Sequence, residues 1–325
     1  MECNQVERST DVIPVELLQN PAGHGAQAIV YRARRTDTDE VIAIKIPFLD
    51  DNADMRAQEI WELTQRLEPF LHLKHVNVVR HLHHQTVITR QLPEQRNGEQ
   101  TSMPQYQILM EYCSGGTLHS YARDNIMSAS LIQKWTQQLV SGLTYLHKQQ
   151  CVHRDIKSEN IFLSTPDAHN CDLKIGDLGN VKRIVAQFTD SSEISCEKGT
   201  YEFMSPEMIT GNPALVGRRT DVWSLGCVVI QMITGHAPYF YKVLPQGKEV
   251  QLTSGTAIMY FVGKLGGMPR IPNGLPEPMR RFVERCLIRS VRERPYAPDL
   301  QGDAFLLERE ADQWTMPQRN NAQRN

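Results

Sequence analysis

The stretch His153-Arg154-Asp155-Ile156-Lys157-Ser158-Glu159-Asn160 sets a carboxylate, an ammonium and a carboxamide within a few residues of one another. A carboxylate can accept or orient the proton of an attacking hydroxyl, and a lysine can neutralise charge on a transferring group. Downstream stands Lys174-Ile175-Gly176-Asp177-Leu178-Gly179, then Ser205-Pro206-Glu207; upstream stand Gly23-His24-Gly25 and Ala43-Ile44-Lys45. Glycines let backbone N–H groups approach phosphates closely. A lysine between aliphatic neighbours needs anionic partners there. The hard oxygens of Asn160 and Asp177, completed by phosphate oxygens, suit Mg²⁺. These types combine into the requirements of phosphoryl transfer, with a carboxylate at the attacking oxygen and cations at the charged ones.

The elements that must position these groups can be read from periodicity. Ala28-Ile29-Val30-Tyr31 and Val41 to Ile46 have strand character, separated by the polar hairpin signal Arg34 to Asp39. A lone Gly-x-Gly is more often an ordinary turn; its place before two strands and Lys45 favours the phosphate reading. From Asn52 to about Leu73 the period is helical, with Ile60, Leu63, Leu67, Phe70 and Leu71 on one stripe and Pro69 predicted to end or kink it. Val76 to Ile88 and Tyr106 to Tyr112 read as strands, with an exposed, mobile polar loop over Pro93 to Pro104. After Gly115-Gly116 the chain turns helical, over Thr117 to Asn125 and then Ser130 to Gln149, with Leu131, Trp135, Leu139, Leu143 and Leu146 on one face. The last stretch, from Glu308, is polar and reads as frayed.

Bulk properties exclude several classes. With 35 basic against 37 acidic side chains among 325 residues, bulk positive charge for nucleic acid is absent. Seven cysteines without a Cys-x-x-Cys pair are neither a disulfide framework nor a zinc ribbon, and point to cytosol or nucleus. No apolar run suggests a membrane span or a signal peptide. His72, His75, His81, His83 and His84 crowd together, but they straddle a helix-to-strand junction without paired cysteine or carboxylate spacing, so a metal site is disfavoured.

With these motifs in their order, the chain resembles the eukaryotic protein kinase superfamily from about Val15 to Leu307. The resemblance implies an α+β, bilobal protein kinase fold. Residues 15–112 would form a small antiparallel-sheet N-lobe with one main helix, residues 113–307 a larger, mostly helical C-lobe, and residues 1–14 and 308–325 tails. It implies ATP and Mg²⁺ as cofactors. Gly23, His24, Gly25, Ala28, Val30 and Ala43 would surround the nucleotide, with Phe162 from the C-lobe. Met110 would be the gatekeeper, and the backbone of Glu111 and Cys113 would bind the adenine edge. Lys45 would pair with phosphates and with a helix carboxylate, Glu59 by preference and Glu62 as the alternative. Asp155 would take or orient the substrate proton, Lys157 would sit at the phosphoryl group, and Asn160 and Asp177 would hold metal. Glu207 would pair with Arg294, and Asp221 would begin a buried helix anchoring the catalytic loop.

Lys157 resembles the serine/threonine subgroup. Ala257 to Pro269, Arg270-Ile271-Pro272 and Arg292 to Pro295 look like MAP kinase kinase kinases, whereas Ile175 to Gly179 and Gly199 to Met204 look like with-no-lysine kinases, which lack the strand lysine present here as Lys45. A MAP kinase kinase kinase-like enzyme is therefore favoured, with a protein substrate for which a downstream kinase is a candidate. The family pattern implies that Arg154 receives a phosphate on the activation loop between Gly179 and Met204, at Ser195 or next at Ser192. Departures are Ala28 for a third glycine, Leu178 for phenylalanine, Ser205 for alanine and a long segment after Glu59. They leave a pseudokinase scaffold as the rival reading; a small-molecule phosphotransferase is disfavoured by the long segment ending in Ser205-Pro206-Glu207. Oligomeric state is not legible.

Overall fold

The computed structural model describes residues 12–18, 21–25, 27–88, 104–183, 201–239, 242–243, 249–250, 252, 254–309 and 311–316. The chain divides into two units, residues 1–74 with 80–112, and residues 75–79 with 113–325. The sequence reading gave residues 75–79 to the N-terminal part; the contacts group them with the second unit.

The first unit is built on an antiparallel sheet. Its strands are β1 (Val15–Leu17), β2 (Gly23–His24), β3 (Ala28–Arg35), β4 (Val41–Pro47), β5 (His81–Ile88) and β6 (Pro104–Glu111), in the order β1-β3-β4-β6-β5 with β2 on β3. Alternation assigns the two faces. Tyr31, Ala33, Ile42, Ile44, Ile46 and Leu109 form one buried cluster, with Ile13, Val15, Ile29 and Leu82 packed against it. Helix α1 (Ala53–Leu67) starts at Asn52, whose side chain accepts from the Asp54 and Met55 amides, and gives way to a 3₁₀ turn at Glu68–Phe70 containing Pro69. The helix thus ends where the proline was expected to end it, because proline removes a donor and clashes with the preceding turn.

The second unit holds α2 (Leu118–Asp124), α3 (Ala129–Lys148), the short strands β7 (Cys151–Val152), β8 (Ile161–Leu163), β9 (Leu173–Ile175) and β10 (Lys182–Arg183), then α4 (Pro206–Ile209), α5 (Arg218–Thr234), α6 (Gly255–Gly263) and α7 (Glu277–Cys286). α5 is buried nearly all round, including Asp221, Trp223 and Cys227. A helix apolar on every side belongs in the middle of a core. The expected strand over Val76–Ile88 begins only at His81. Before it, Asn77 Nδ2 donates to the Leu173 carbonyl (3.0 Å), Val79 N donates to Ile175 O (2.7 Å) and Ile175 N donates to Asn77 O (2.9 Å). Gly142 of α3 permits this approach, since a Cβ there would fall 2.7 Å from Asn77 O. The C-terminal tail also needs correction: Gln133 Nε2 donates to Glu308 O (2.8 Å), Ala311 is buried and Trp314 stacks on Phe305 at 5.9 Å. An aromatic side chain late in a polar stretch suffices to dock it.

Arg294 and Glu207 form a buried pair, with Nη1–Oε1 at 2.8 Å and Nη2–Oε2 at 3.1 Å. Thr220 Oγ1 donates to the same Oε1 (3.0 Å), and the guanidinium lies over the Trp223 ring. Burial pushes the Glu207 carboxyl upward, but the hydrogen bonds and charge of Arg294 outweigh it and hold its pKa below the usual glutamate value. A depressed folded pKa contributes stability above the unfolded pKa that is lost as pH falls through the folded one. Glu207→Gln is therefore expected to flatten the acid limb of the stability curve, measured by thermal unfolding between about pH 6 and pH 3; a limb as steep as wild type contradicts it.

Candidate active site

The expected nucleotide and catalytic residues divide between the two units. In the first, Gly23 pairs with Val30 and His24 with Ile29, and Gly25 N donates to Ala28 O at 2.9 Å, which closes a tight hairpin. Ala28 is buried, so its methyl faces protein where a third glycine had been the pattern. Val30 is opposite Lys45, Lys45 opposite Ile108, and Ala43 opposite Met110. Period two then places Val30, Ala43, Lys45 and Met110 on one sheet face, opposite the face carrying Ile42, Ile44 and Ile46. This accounts for a lysine in an aliphatic strand: its neighbours in sequence fill the core while it points to the other side. Glu111 N donates to Arg80 O (3.0 Å), and Arg80 N donates to Glu111 Oε1 (2.7 Å). The Glu111 amide is thus committed to Arg80.

The carboxylates expected for Lys45 have described bonds of their own on α1. Glu59 Oε2 accepts the Asp50 amide at 2.8 Å, and the exposed Glu62 accepts from Gln58 Nε2 at 3.0 Å. The described bond of Glu59 ties the approach to α1. Helical spacing identifies candidate carboxylates but not the rotation of the helix that carries them.

In the second unit the catalytic loop is held from behind by Asp221. Its Oδ2 accepts from His153 N (2.9 Å), its Oδ1 from Arg154 N (2.8 Å), and His147 Nε2 lies 2.8 Å from Oδ2. Arg154 has φ +64°, an uncommon value for a residue with a Cβ, and the two amide bonds to Asp221 over-determine it. His153 Nε2 reaches Gly176 O at 2.9 Å, which links the loop to the backbone next to Asp177.

Asp155 is 7% exposed. Asn160 Nδ2 donates to both the Asp155 carbonyl and its Oδ2 at 2.9 Å, and Lys157 Nζ lies 2.9 Å from the same Oδ2. With its amide nitrogen spent on Asp155, Asn160 has only its side-chain oxygen to offer as a hard donor. Asn160 immediately precedes β8, and Asp177 follows β9 by one residue. Ile161 pairs with Ile175 and Gly176 N donates to Asn160 O (2.8 Å), so both metal candidates stand at one end of this hairpin. Asp177 is left-handed (φ 55°), and its Oδ1 accepts the Gly179 amide at 3.3 Å. An amide oxygen and a carboxylate fit Mg²⁺ that takes its remaining ligands from phosphates and water. Among the described residues no triad of His, Cys, Asp or Glu forms an all-protein metal cage, and the histidine-rich stretch is no exception. Leu178 is buried, in keeping with an apolar replacement for phenylalanine. The Phe162 ring covers Gly176, where a Cβ would come within 2.7 Å of it. Ser192 and Ser195 lie outside the described residues.

Sequence reasoning missed His147 and His119. His147 directly follows the buried stripe residue Leu146, a position at which an imidazole must find a buried partner. His119 Nδ1 lies 3.1 Å from Glu159 Oε1. The hydrogen bond to Glu159 raises the His119 pKa; burial pushes Glu159 upward, but its bond to His119 and its own backbone hold it below the usual value.

Residues 18–306 match the protein kinase domain model, and the chain belongs to that family. It is 34% identical over 292 residues to human mitogen-activated protein kinase kinase kinase 6, covering 87% of this chain and 20% of that protein. It is 30% identical over 293 residues to mitogen-activated protein kinase kinase kinase 18 of Arabidopsis thaliana, covering 89% of this chain and 77% of that one. Against nsy-1 of Caenorhabditis elegans, also named as a mitogen-activated protein kinase kinase kinase, it is 30% identical over 87% of this chain and spans 17% of the relative. The chain thus spans well under a third of the length of several of these relatives and about three quarters of the plant one.

Proposed function

We propose that the chain is an ATP- and Mg²⁺-dependent serine/threonine protein kinase acting in signalling, and that its substrate is a protein, with a downstream kinase as the first candidate. One observation carries this reading: Asp155 is buried with its Oδ2 held by both Asn160 and Lys157. That arrangement fixes a carboxylate for the attacking hydroxyl beside a cation for the phosphoryl oxygens. Bound Mg²⁺ would neutralise charge on the phosphates, with Asn160 and Asp177 supplying its protein oxygens. The names of the relatives support a kinase as substrate. The reading includes activation by phosphate on Ser195 or Ser192, received by Arg154, and a cytoplasmic or nuclear location, supported by the free cysteines at 171, 227 and 286.

The features that favoured a pseudokinase scaffold have structural explanations. The Ala28 carbonyl closes the glycine hairpin, Leu178 is buried, and the long segment after Glu59 is used by a 3₁₀ turn and the loop fastened to β9. No described helix is long and apolar enough to cross a membrane. The test is incubation of purified protein with γ-labelled ATP, Mg²⁺ and a generic basic protein, followed by acid hydrolysis. Phosphoserine or phosphothreonine is expected, and chelation of Mg²⁺ with EDTA is expected to stop labelling. Phosphotyrosine as the main product, or labelling indifferent to EDTA, contradicts the proposal.

A further inference from the structure

The turn that carries Asn160 is a 3₁₀ helix of three residues, Ser158–Asn160, preceded by Lys157, which makes no side-chain cap bond. Such short turns are weak on their own. Two of its backbone bonds are local, from Asn160 N to Lys157 O (3.0 Å) and from Ile161 N to Ser158 O, and a third brings Gly176 N to Asn160 O (2.8 Å). Its Asn160 end is tied to Asp155 and Gly176, and its Ser158–Glu159 end is reached from α2. His119 Nδ1 lies 3.1 Å from Glu159 Oε1, and Ser158 Oγ donates to Glu159 Oε2 at 3.0 Å. The Glu159 carboxylate therefore bridges the helix to the first residue of the turn. The Ser158 hydroxyl is itself 3.4 Å from His119 Nδ1.

The base of this clamp is fixed. Thr117, the N-cap of α2, accepts from Ser120 N (3.2 Å) and pairs with Phe162 of β8. His119 thus stands on a helix whose start is tied to the strand that follows the turn. We infer that His119 is a positioning residue: through Glu159 and Ser158 it holds the first half of the Ser158–Asn160 turn, and so adds to the bonds from Asp155 and Gly176 in fixing the direction in which the Asn160 amide oxygen meets a divalent cation.

Serine is what makes the second half of the bridge available, because its hydroxyl gives the Glu159 carboxylate a donor inside the turn. The His119 and Glu159 side chains are 39% and 45% exposed, so solvent screens the pair and its effect is moderate. The inference rests on the reading of Asn160 as a metal ligand only in its last step; the holding of the turn stands without it.

The test compares His119→Ala, His119→Gln and Asn160→Ala with wild type. Glutamine keeps an N–H donor within reach of Glu159. Amide hydrogen exchange is measured first, on the metal-free protein. Exchange at Asn160 and Ile161 is expected to rise roughly 5-fold in His119→Ala and to return to near wild type in His119→Gln, with the thermal midpoint unchanged. Binding of Mn²⁺ in the presence of ADP, read by electron paramagnetic resonance, is then expected to weaken roughly 2- to 5-fold in His119→Ala, while the KM for the protein substrate stays put. Wild-type exchange and Mn²⁺ affinity in His119→Ala overturn the inference, as does a His119→Gln variant no better than alanine. Asn160→Ala separates the two layers. If it leaves Mn²⁺ affinity intact, the metal assignment of Asn160 falls, whatever the exchange data say of His119.

Discussion

Arg294→Ala lowers the stability of the chain by about 3–5 kcal/mol, the range for breaking a buried ion pair by removing one partner. The guanidinium is fully buried and Glu207 is 3% exposed. Besides its two bonds to Glu207, Arg294 donates through Nη1 to Arg219 O (2.8 Å) and through Nε to Ile288 O (2.8 Å). One side chain therefore ties α4, α5 and the segment after α7. Its removal leaves a buried carboxylate without its cation, together with carbonyls that lose their donors. Arg294→Lys is not expected to rescue, because an ammonium cannot span two carboxylate oxygens and two carbonyls from one plane. Urea unfolding of the purified variants measures both, and a loss under about 1 kcal/mol would place the pair among ordinary surface bridges.

Asp155→Asn lowers the turnover number by roughly 10²- to 10⁴-fold, the usual contribution of a positioned general base. The substitution keeps the shape of the side chain. An amide oxygen at the Oδ2 position still accepts from Asn160 Nδ2, and the backbone amides of His153 and Arg154 remain on Asp221. What is lost is the negative charge facing Lys157 and the attacking hydroxyl. The fold should survive, as circular dichroism and an unchanged thermal midpoint would show. Nucleotide affinity should change little, since the assigned nucleotide contacts lie elsewhere. A variant retaining more than about a tenth of wild-type turnover contradicts the role given to Asp155.

The residues that carry these effects were legible because their chemistry is local in sequence. Asp155, Lys157 and Asn160 fall within one turn and one loop, so their spacing already implies that they meet. Lys45 was legible for a different reason: an ammonium inside Ala43-Ile44-Lys45-Ile46 breaks the apolar pattern, and strand alternation resolves the conflict by sending it to the other face. Glu207 and Arg294 are 87 residues apart and were assigned only through family resemblance; no spacing rule joins them.

Where the reading fell short, tertiary context decided. The Val76–Arg80 stretch has strand composition, yet the backbone of Asn77 and Val79 is taken up by β9 and that of Asn77 by the close approach at Gly142. The tail after Glu308 is polar, yet Trp314 docks on Phe305. His119 escaped notice because its partner, Glu159, lies 40 residues on in a motif where attention falls on the flanking Lys157 and Asn160.

The central claim is that this chain transfers the γ-phosphoryl group of ATP to a protein hydroxyl and that the loop from His153 to Asn160 does so. The most direct measurement is the amount of labelled phosphate that purified wild-type protein transfers to a protein substrate in MgATP, beside Asp155→Asn prepared identically. The account predicts transfer by wild type over many turnovers and near-background labelling by the variant. No transfer by wild type with either Mg²⁺ or Mn²⁺, whether the activation segment is phosphorylated or not, would contradict it, and so would equal transfer by the two proteins.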